Sequence, residues 1–260
     1  MTADPHTVAS RVVGTEADQQ TRDYILGYLM ESERGAEILG EIWNSNTDVT
    51  FYWSDRGTYA NNEHMWLDRN ENLEDLLPAA AHEIYHVRAY VGGERSWPGQ
   101  DGYVPNMLGE EARAHAAAFV IHMQTGRRYP APRNFGDFRH SYRNIVTPSR
   151  GQPNFANVTR AGEFFCRMQM SNGLWLTSNT NERYRDYYER FHQAALQSNQ
   201  SNQSNQSNQP APSSVAAAAR LRQSPRTPST PTVAKINEAD SPTRPARGRP
   251  GGQSSSGIRR

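Results

Sequence analysis

The sequence predicts an α+β fold: one small β-sheet, a set of packed helices, and a disordered tail outside the folded part. Three observations carry this. Apolar residues recur at helical spacing through residues 16–43 and again in the stretches 76–91 and 109–126. Two short β-prone runs, Val49–Trp53 and His64–Asp68, lie between them. From Ser198 to Arg260 there is no Phe, Trp or Tyr, and eight of the sixteen prolines fall there. Such a segment cannot bury enough apolar surface to offset its ordering entropy.

Between Glu16 and Trp43 the periodic positions include Tyr24, Ile25, Tyr28, Leu29, Ile38, Leu39 and Ile42, and Gly35 is the expected divider into two helices. The run Val49–Trp53 ends at Ser54-Asp55-Arg56-Gly57, a turn signal, and His64–Asp68 reads as the second strand. The next helix is expected to start near Leu76 or Pro78, because proline is tolerated in a first turn. It should end near Val91, where Gly92-Gly93 supplies the cap. The stretch from Gly92 to Leu108 reads as a loop on the rim of a cleft. A helix then opens at Gly109-Glu110-Glu111 and runs to Gly126. Further on, Thr159–Met170 reads as a helix with Phe164, Phe165 and Met168 on its core face. Asn179-Thr180-Asn181-Glu182 offers a capping box for a last helix, rich in Tyr and Arg, that ends near Leu196.

Three segments follow: a disordered N-terminal region over 1–15, a folded domain over 16–197, and a low-complexity basic tail over 198–260 that opens with four Ser-Asn-Gln copies. The tail carries nine Arg or Lys against two Asp or Glu, a net of +7, so the overall +1 hides a net of −6 in residues 1–197. A basic tail could touch nucleic acid or anionic lipid, but a solvated linker or secretion-tolerant extension is the expected reading. Its charges are spread among prolines with no aromatic to stack on a base, so nucleic acid is not the expected partner. The single cysteine, Cys166, permits no intramolecular disulfide and suits a reducing compartment. Its apolar context reads as a core thiol rather than a nucleophile. Met1-Thr2-Ala3-Asp4-Pro5-His6 opens no apolar signal run, and neither a Sec-type signal peptide nor a transmembrane helix is expected.

Chemistry concentrates in His82-Glu83-Ile84-Tyr85-His86. Histidines four apart share one helix face, so both rings can reach one Zn²⁺ at the roughly 2.0–2.1 Å that zinc–imidazole bonds require. Glu83 falls beside that point, where a carboxylate can take a proton from water. The flanking Ala79, Ala80, Ala81, Ile84 and Val87 describe a buried helix, in which two unsatisfied imidazoles would be costly. A catalytic zinc site needs a third protein ligand. The metzincin continuation is absent, since Ala89 stands where it needs Gly and Gly92 where it needs His. Glu111 leads as third ligand, with Glu110 and His115 as alternatives, His115 also as a support one turn beyond Glu111. The plain alternative for Glu110 and Glu111 is compensation of the helix dipole.

His82-Glu83-Ile84-Tyr85-His86, then Gly92-Gly93, then Glu110-Glu111-x-Arg113, and later Gly136-Asp137-Phe138-Arg139-His140-Ser141-Tyr142, resemble the NleD- and XopG-type zinc metallopeptidases, effectors that bacteria inject through type III secretion. The resemblance spans about Val49 to Tyr142; Ala114-His115-Ala116 departs from the family's pattern. It implies a compact zincin-like metallopeptidase domain of gluzincin type with one Zn²⁺. It also implies secretion into a host cell's cytoplasm, with a type III chaperone as a partner. The implied reaction is cleavage of a host signalling protein, a mitogen-activated protein kinase being one possibility, with no membrane involved. Zinc would be held by His82, His86 and Glu111, Glu83 would be the general base, and Tyr142 would donate to the oxyanion, ahead of His140 and Arg139. In zincins the strand before the motif helix, here His64–Asp68, is an edge that pairs with an extended peptide. The contrasting reading is a non-enzymatic effector in which zinc only ties helices together while the protein binds a host partner.

Overall fold

The computed structural model describes residues 12–14, 19–126, 128–177 and 180–207. The expected N-terminal region lies outside these residues except for Val12–Gly14, and so does the expected tail from residue 208 onward.

The long periodic stretch near the N-terminus forms two helices, α1 (Gln19–Met30) and α2 (Glu33–Asn44). The break falls at Ser32 rather than at Gly35. Ser32 is extended (φ −111°, ψ 141°), and its hydroxyl accepts from Gly35 N at 2.8 Å, which caps α2. Gly35 instead allows a close approach. A Cβ there would stand 2.1 Å from the Leu29 carbonyl oxygen, so only glycine fits.

Four strands form the sheet: β1 (Val12–Gly14), β2 (Val49–Ser54), β3 (Tyr59–Asn61) and β4 (His64–Asp68). The order is β1-β2-β4-β3, with β1–β2 and β2–β4 parallel and β3–β4 antiparallel. Val49, Phe51, Met65 and Leu67 are fully buried on one face, the alternation that a half-covered sheet requires. β4 is interior, not an edge. Among the described residues the outer strands are β1 and β3, and β3 is a three-residue strand too short to show a period. Asn62 (φ 56°) turns the chain between β3 and β4.

α3 (Leu73–Val91) starts earlier than Leu76, because Asn72 caps it by accepting from Asp75 N at 3.0 Å. Pro78 therefore lies beyond the first turn, inside the helix. Gly93 (φ 70°) ends it, with Glu94 N donating to the Ala89 carbonyl at 2.9 Å. α4 (Tyr103–Thr125) begins six residues before Gly109. Gly102 (φ 75°) sets the entry angle, and Pro105 sits in the first turn, where its missing N–H costs nothing.

α4 is buried on nearly every side. Ala114, Ala117, Ala118 and Ile121 join the core made with α1, α2, α3 and the sheet. Ala112, Phe119 and Val120 join a second core with α5 (Phe135–Ser141), α6 (Arg143–Val146), α7 (Phe155–Ser171) and α8 (Tyr184–Ser207). A helix buried on nearly every side sits between two layers.

α7 corrects the expected core face. Val158, Ala161, Gly162, Phe165 and Cys166 are buried, Gly162 against Ala116 of α4, while Phe164 is 64% exposed and Met168 40% exposed. The inward stripe is set by Gly162, whose Cβ would stand only 3.1 Å from Ala116 Cβ. Phe164 and Met168, four apart, fall on the opposite side. Burial pushes the Cys166 thiol far above its ordinary range, in keeping with a core residue.

α8 corrects both its expected end and the expected start of disorder. It begins at Tyr184, not at a capping box (Asn179 lies outside the described residues), and continues through the Ser-Asn-Gln repeats to Ser207. Extending an existing helix adds a hydrogen bond per residue without a new nucleation cost, so a polar repeat can follow a packed segment. Among the described residues no helix is long and apolar enough to cross a membrane.

Candidate metal centre

α3 and α4 pack side by side, and each carries a pair of donor residues one turn apart on the facing surface: His82 and His86 on α3, Glu111 and His115 on α4. His82 Nε2 and His86 Nε2 are 3.1 Å apart. Glu111 Oε2 is 3.2 Å from His82 Nε2 and 3.6 Å from His86 Nε2. Two nitrogens and one oxygen thus form a small, nearly regular triangle. His82, Glu111 and His115 likewise offer donor atoms within 4.8 Å of one another. Either set has the donor types that a divalent cation of the zinc kind takes, and His86, Glu111 and His115 are all buried.

Two of the donors, His86 and Glu111, are held from behind. Glu110, buried, meets His86 Nδ1 at 2.7 Å, which fixes that ring's orientation and presents Nε2 to the centre. Arg95 Nε, from the segment between α3 and α4, lies 3.9 Å from the same Glu110 oxygen, so this segment does reach the site. The other Glu111 oxygen, Oε1, accepts from the Tyr188 hydroxyl of α8. Glu110 and Glu111 therefore divide the work: Glu111 faces the imidazole nitrogens and Glu110 stands behind one of them. His82 Nδ1 and His115 Nε2 are buried with no hydrogen-bond partner among the described residues.

Without a cation the cluster polarises itself. Burial opposes charge on Glu111, but His86 and His82 outweigh it and hold the carboxyl well below its ordinary range. Burial likewise opposes protonation of His86, yet Glu111 and Glu110 raise it well above 6.5. Glu83 is raised, chiefly by desolvation, with His82 and His86 pulling the other way. Its Oε2 accepts from Ala60 N on the outer edge of β3 at 2.9 Å, which orients the carboxylate between the sheet edge and the histidines.

His82, Glu83, His86, Glu110, Glu111 and His115 are thus gathered in one place. Tyr142 is not gathered with them: it caps α5 and packs edge-on to Phe165 (6.0 Å) and beside Phe138 (5.4 Å) in the second core. Arg139 and His140 are exposed on α5. His64 stands on β4 against Tyr52 and Trp66, 3.7 Å from Glu63. The tyrosines that reach the centre are Tyr188 and Tyr184, both pushed far above the ordinary range, first by burial and then by the charge on Glu111. Their spacing of four on one helix face is visible in the sequence; their destination is not.

No family model, no curated protein and no solved structure matches the chain.

Proposed function

We propose that the chain is a zinc-dependent endopeptidase of the gluzincin type, with His82, His86 and Glu111 as the metal ligands and Glu83 as general base. One observation carries the reading: the edges of the donor triangle, 3.1, 3.2 and 3.6 Å. A tetrahedral ion with bonds of roughly 2.0–2.1 Å has donor-to-donor edges of about 3.3 Å. The mean of the three edges falls there.

When bound, Zn²⁺ supplies Lewis-acid polarisation of a carbonyl and makes water acidic enough to deprotonate near neutral pH. The protein's own residues do the rest. Ala60 N engages Glu83 Oε2 and leaves Oε1 as the atom assigned to take the proton from water and later deliver it to the departing amine. The outer edge of β3, apart from the Ala60 N–H that Glu83 takes, is the backbone proposed to lie beside an extended peptide. Glu110 and Tyr188 keep the ligands aimed. Tyr184, buried near Glu111 and Glu83, replaces Tyr142 as the hydroxyl assigned to the oxyanion.

The resemblance of the sequence to type III effector peptidases supplies the proposed setting: export into a host cytoplasm with a chaperone's help, and cleavage of a host signalling protein. The contrasting reading is a binding effector whose zinc only ties α3 to α4. It leaves Glu83 without a role, although a backbone N–H orients that carboxylate beside the donors. Glu83→Gln separates the two. It is expected to retain one zinc per chain and an unchanged melting temperature while losing all proteolysis, scored as new protein termini in host-cell lysate. Wild-type cleavage by Glu83→Gln overturns the enzymatic reading.

A further inference from the structure

We propose that the outer face of α7 is a docking surface for an acidic amphipathic helix of another protein. The inference is independent of the metal reading above.

The fold leaves apolar surface in water on this face. Phe164 is 64% exposed, Met168 40% and Leu174 67%. Phe164 and Met168 lie one turn apart, so they form a single ridge along the helix. α7 ends in a Schellman turn: Gly173 is left-handed (φ 68°), its N–H donates to the Met170 carbonyl at 3.1 Å, and Leu174 N donates to the Gln169 carbonyl at 3.0 Å. Such a turn folds the next side chain back toward the last helical turn, so Leu174 continues the ridge past Met168. Arg160 and Arg167 are exposed, four residues before and three after Phe164, and thus on the same side. Arg160 donates to Asn157 Oδ1 at 2.7 Å, and neither guanidinium pairs with a carboxylate among the described residues.

Charge sets the chemistry of the partner. Residues 128–207 hold ten Arg against five Asp or Glu, a net of +5, while residues 19–126 hold seven Arg against seventeen Asp or Glu, a net of −10. This polarity turns an acidic partner away from the sheet and α1–α3 and toward the elements after α4. Size sets its form. Three part-exposed side chains offer roughly 300 Å² of apolar surface, far below the about 800 Å² per partner that a stable dimer buries. Two cations also fall short of the about 4–8 that a lipid-reading cluster carries. One helix fits: a groove between its own ridges receives Phe164 and Met168, and acids flanking its apolar stripe reach Arg160 and Arg167.

The test titrates the full chain into a fluorescein-labelled helical peptide of about sixteen residues, with Leu at i, i+4 and i+7 and Glu on either side, read by anisotropy. Saturable binding is expected, weakened at least about tenfold by Phe164→Ala and by the double change Arg160→Glu, Arg167→Glu, both with the wild-type melting temperature. The same peptide with Lys for every Glu is expected not to bind. No saturable binding of the acidic peptide, equal binding of the Lys peptide, or full binding by both variants overturns the proposal. Vesicles of phosphatidylcholine with one-fifth phosphatidylserine, and sedimentation velocity of the chain alone, test the other occupants. Vesicle binding or a dimer that Phe164→Ala abolishes, in place of peptide binding, assigns the face to a membrane or to a second copy and likewise overturns it.

Discussion

The hydroxyl of Tyr188 donates to one oxygen of Glu111 while the other oxygen faces His82 and His86. The two ends of one carboxylate thus join the last helix to the motif helix, residues more than a hundred positions apart in the chain. The hydroxyl aims the carboxylate and shields its outer oxygen. Tyr188→Phe leaves that buried oxygen without a donor. Supports of this kind are worth about 10–100-fold in metal affinity. The expected result is a zinc affinity lower by that factor, measured by competition with a chromogenic chelator, and a loss of about 1–3 kcal/mol of stability. Unchanged affinity would remove Tyr188 from the centre.

Glu110 makes the same case from the other side. It holds His86 Nδ1 at 2.7 Å, and Glu110→Ala is expected to weaken zinc binding about 10–100-fold without abolishing it. Glu111→Ala, by contrast, removes a proposed ligand and should leave no stoichiometric zinc by elemental analysis. Equal losses in the two variants would mean that the two acids share the role, and the opposite order would mean that the roles are reversed.

The metal-free cluster sets a pH dependence whose sign can be worked out. His86 is raised above 6.5, so its contribution to stability is full below that value and is lost as pH rises through the raised one. Glu111 is lowered below 4.5, so its contribution is full above that value and is lost as pH falls through the lowered one. The metal-free protein should therefore be most stable between those two ordinary values. Zinc requires a neutral His86, so binding must expel its proton. Affinity should rise with pH up to the raised His86 value. Calorimetry in buffers of different ionisation enthalpy should find about one proton released per zinc at neutral pH, and none released would refute the ion pair.

Much of this centre is legible in the sequence, and the reason is local geometry. His82 and His86 share a helix face by spacing alone, and the small, apolar residues around them mark that face as buried. Glu111 stands out because a zinc site needs a third donor and the next helix offers acids. How distant elements dock is not legible. β3 is three residues long and shows no period, so the likeness to zincins points to β4 as the edge and the sequence gives no sign of the Ala60 contact with Glu83. Tyr188 and Tyr184 are plain aromatic positions on a polar helix until α8 is laid against α4. Likeness of motif points to Tyr142, yet its neighbours, Phe138 and Phe165, are core residues. The core face of α7 misleads for the same reason. Apolar residues at 164, 165 and 168 fit a helical stripe, but the close approach of Gly162 to Ala116 decides which stripe turns inward.

That last contact allows the packing itself to be tested with two adjacent residues. Phe165 is buried against Phe138 (5.8 Å), Tyr142 (6.0 Å) and Trp175 (5.7 Å), and its truncation leaves a void that this aromatic cluster cannot close. Phe165→Ala is expected to cost about 3–5 kcal/mol of stability in urea denaturation. Phe164 stands 64% exposed one position away, and Phe164→Ala is expected to stay within about 0.5 kcal/mol of wild type. Because α7 packs on the opposite face of α4 from α3, the Phe165 loss should also be read at the metal: loosening α4 from behind relaxes Glu111 and weakens zinc binding, while Phe164→Ala leaves affinity unchanged. A destabilised Phe165→Ala protein that binds zinc with wild-type affinity would show that α3 and α4 hold the donors without help from the second core.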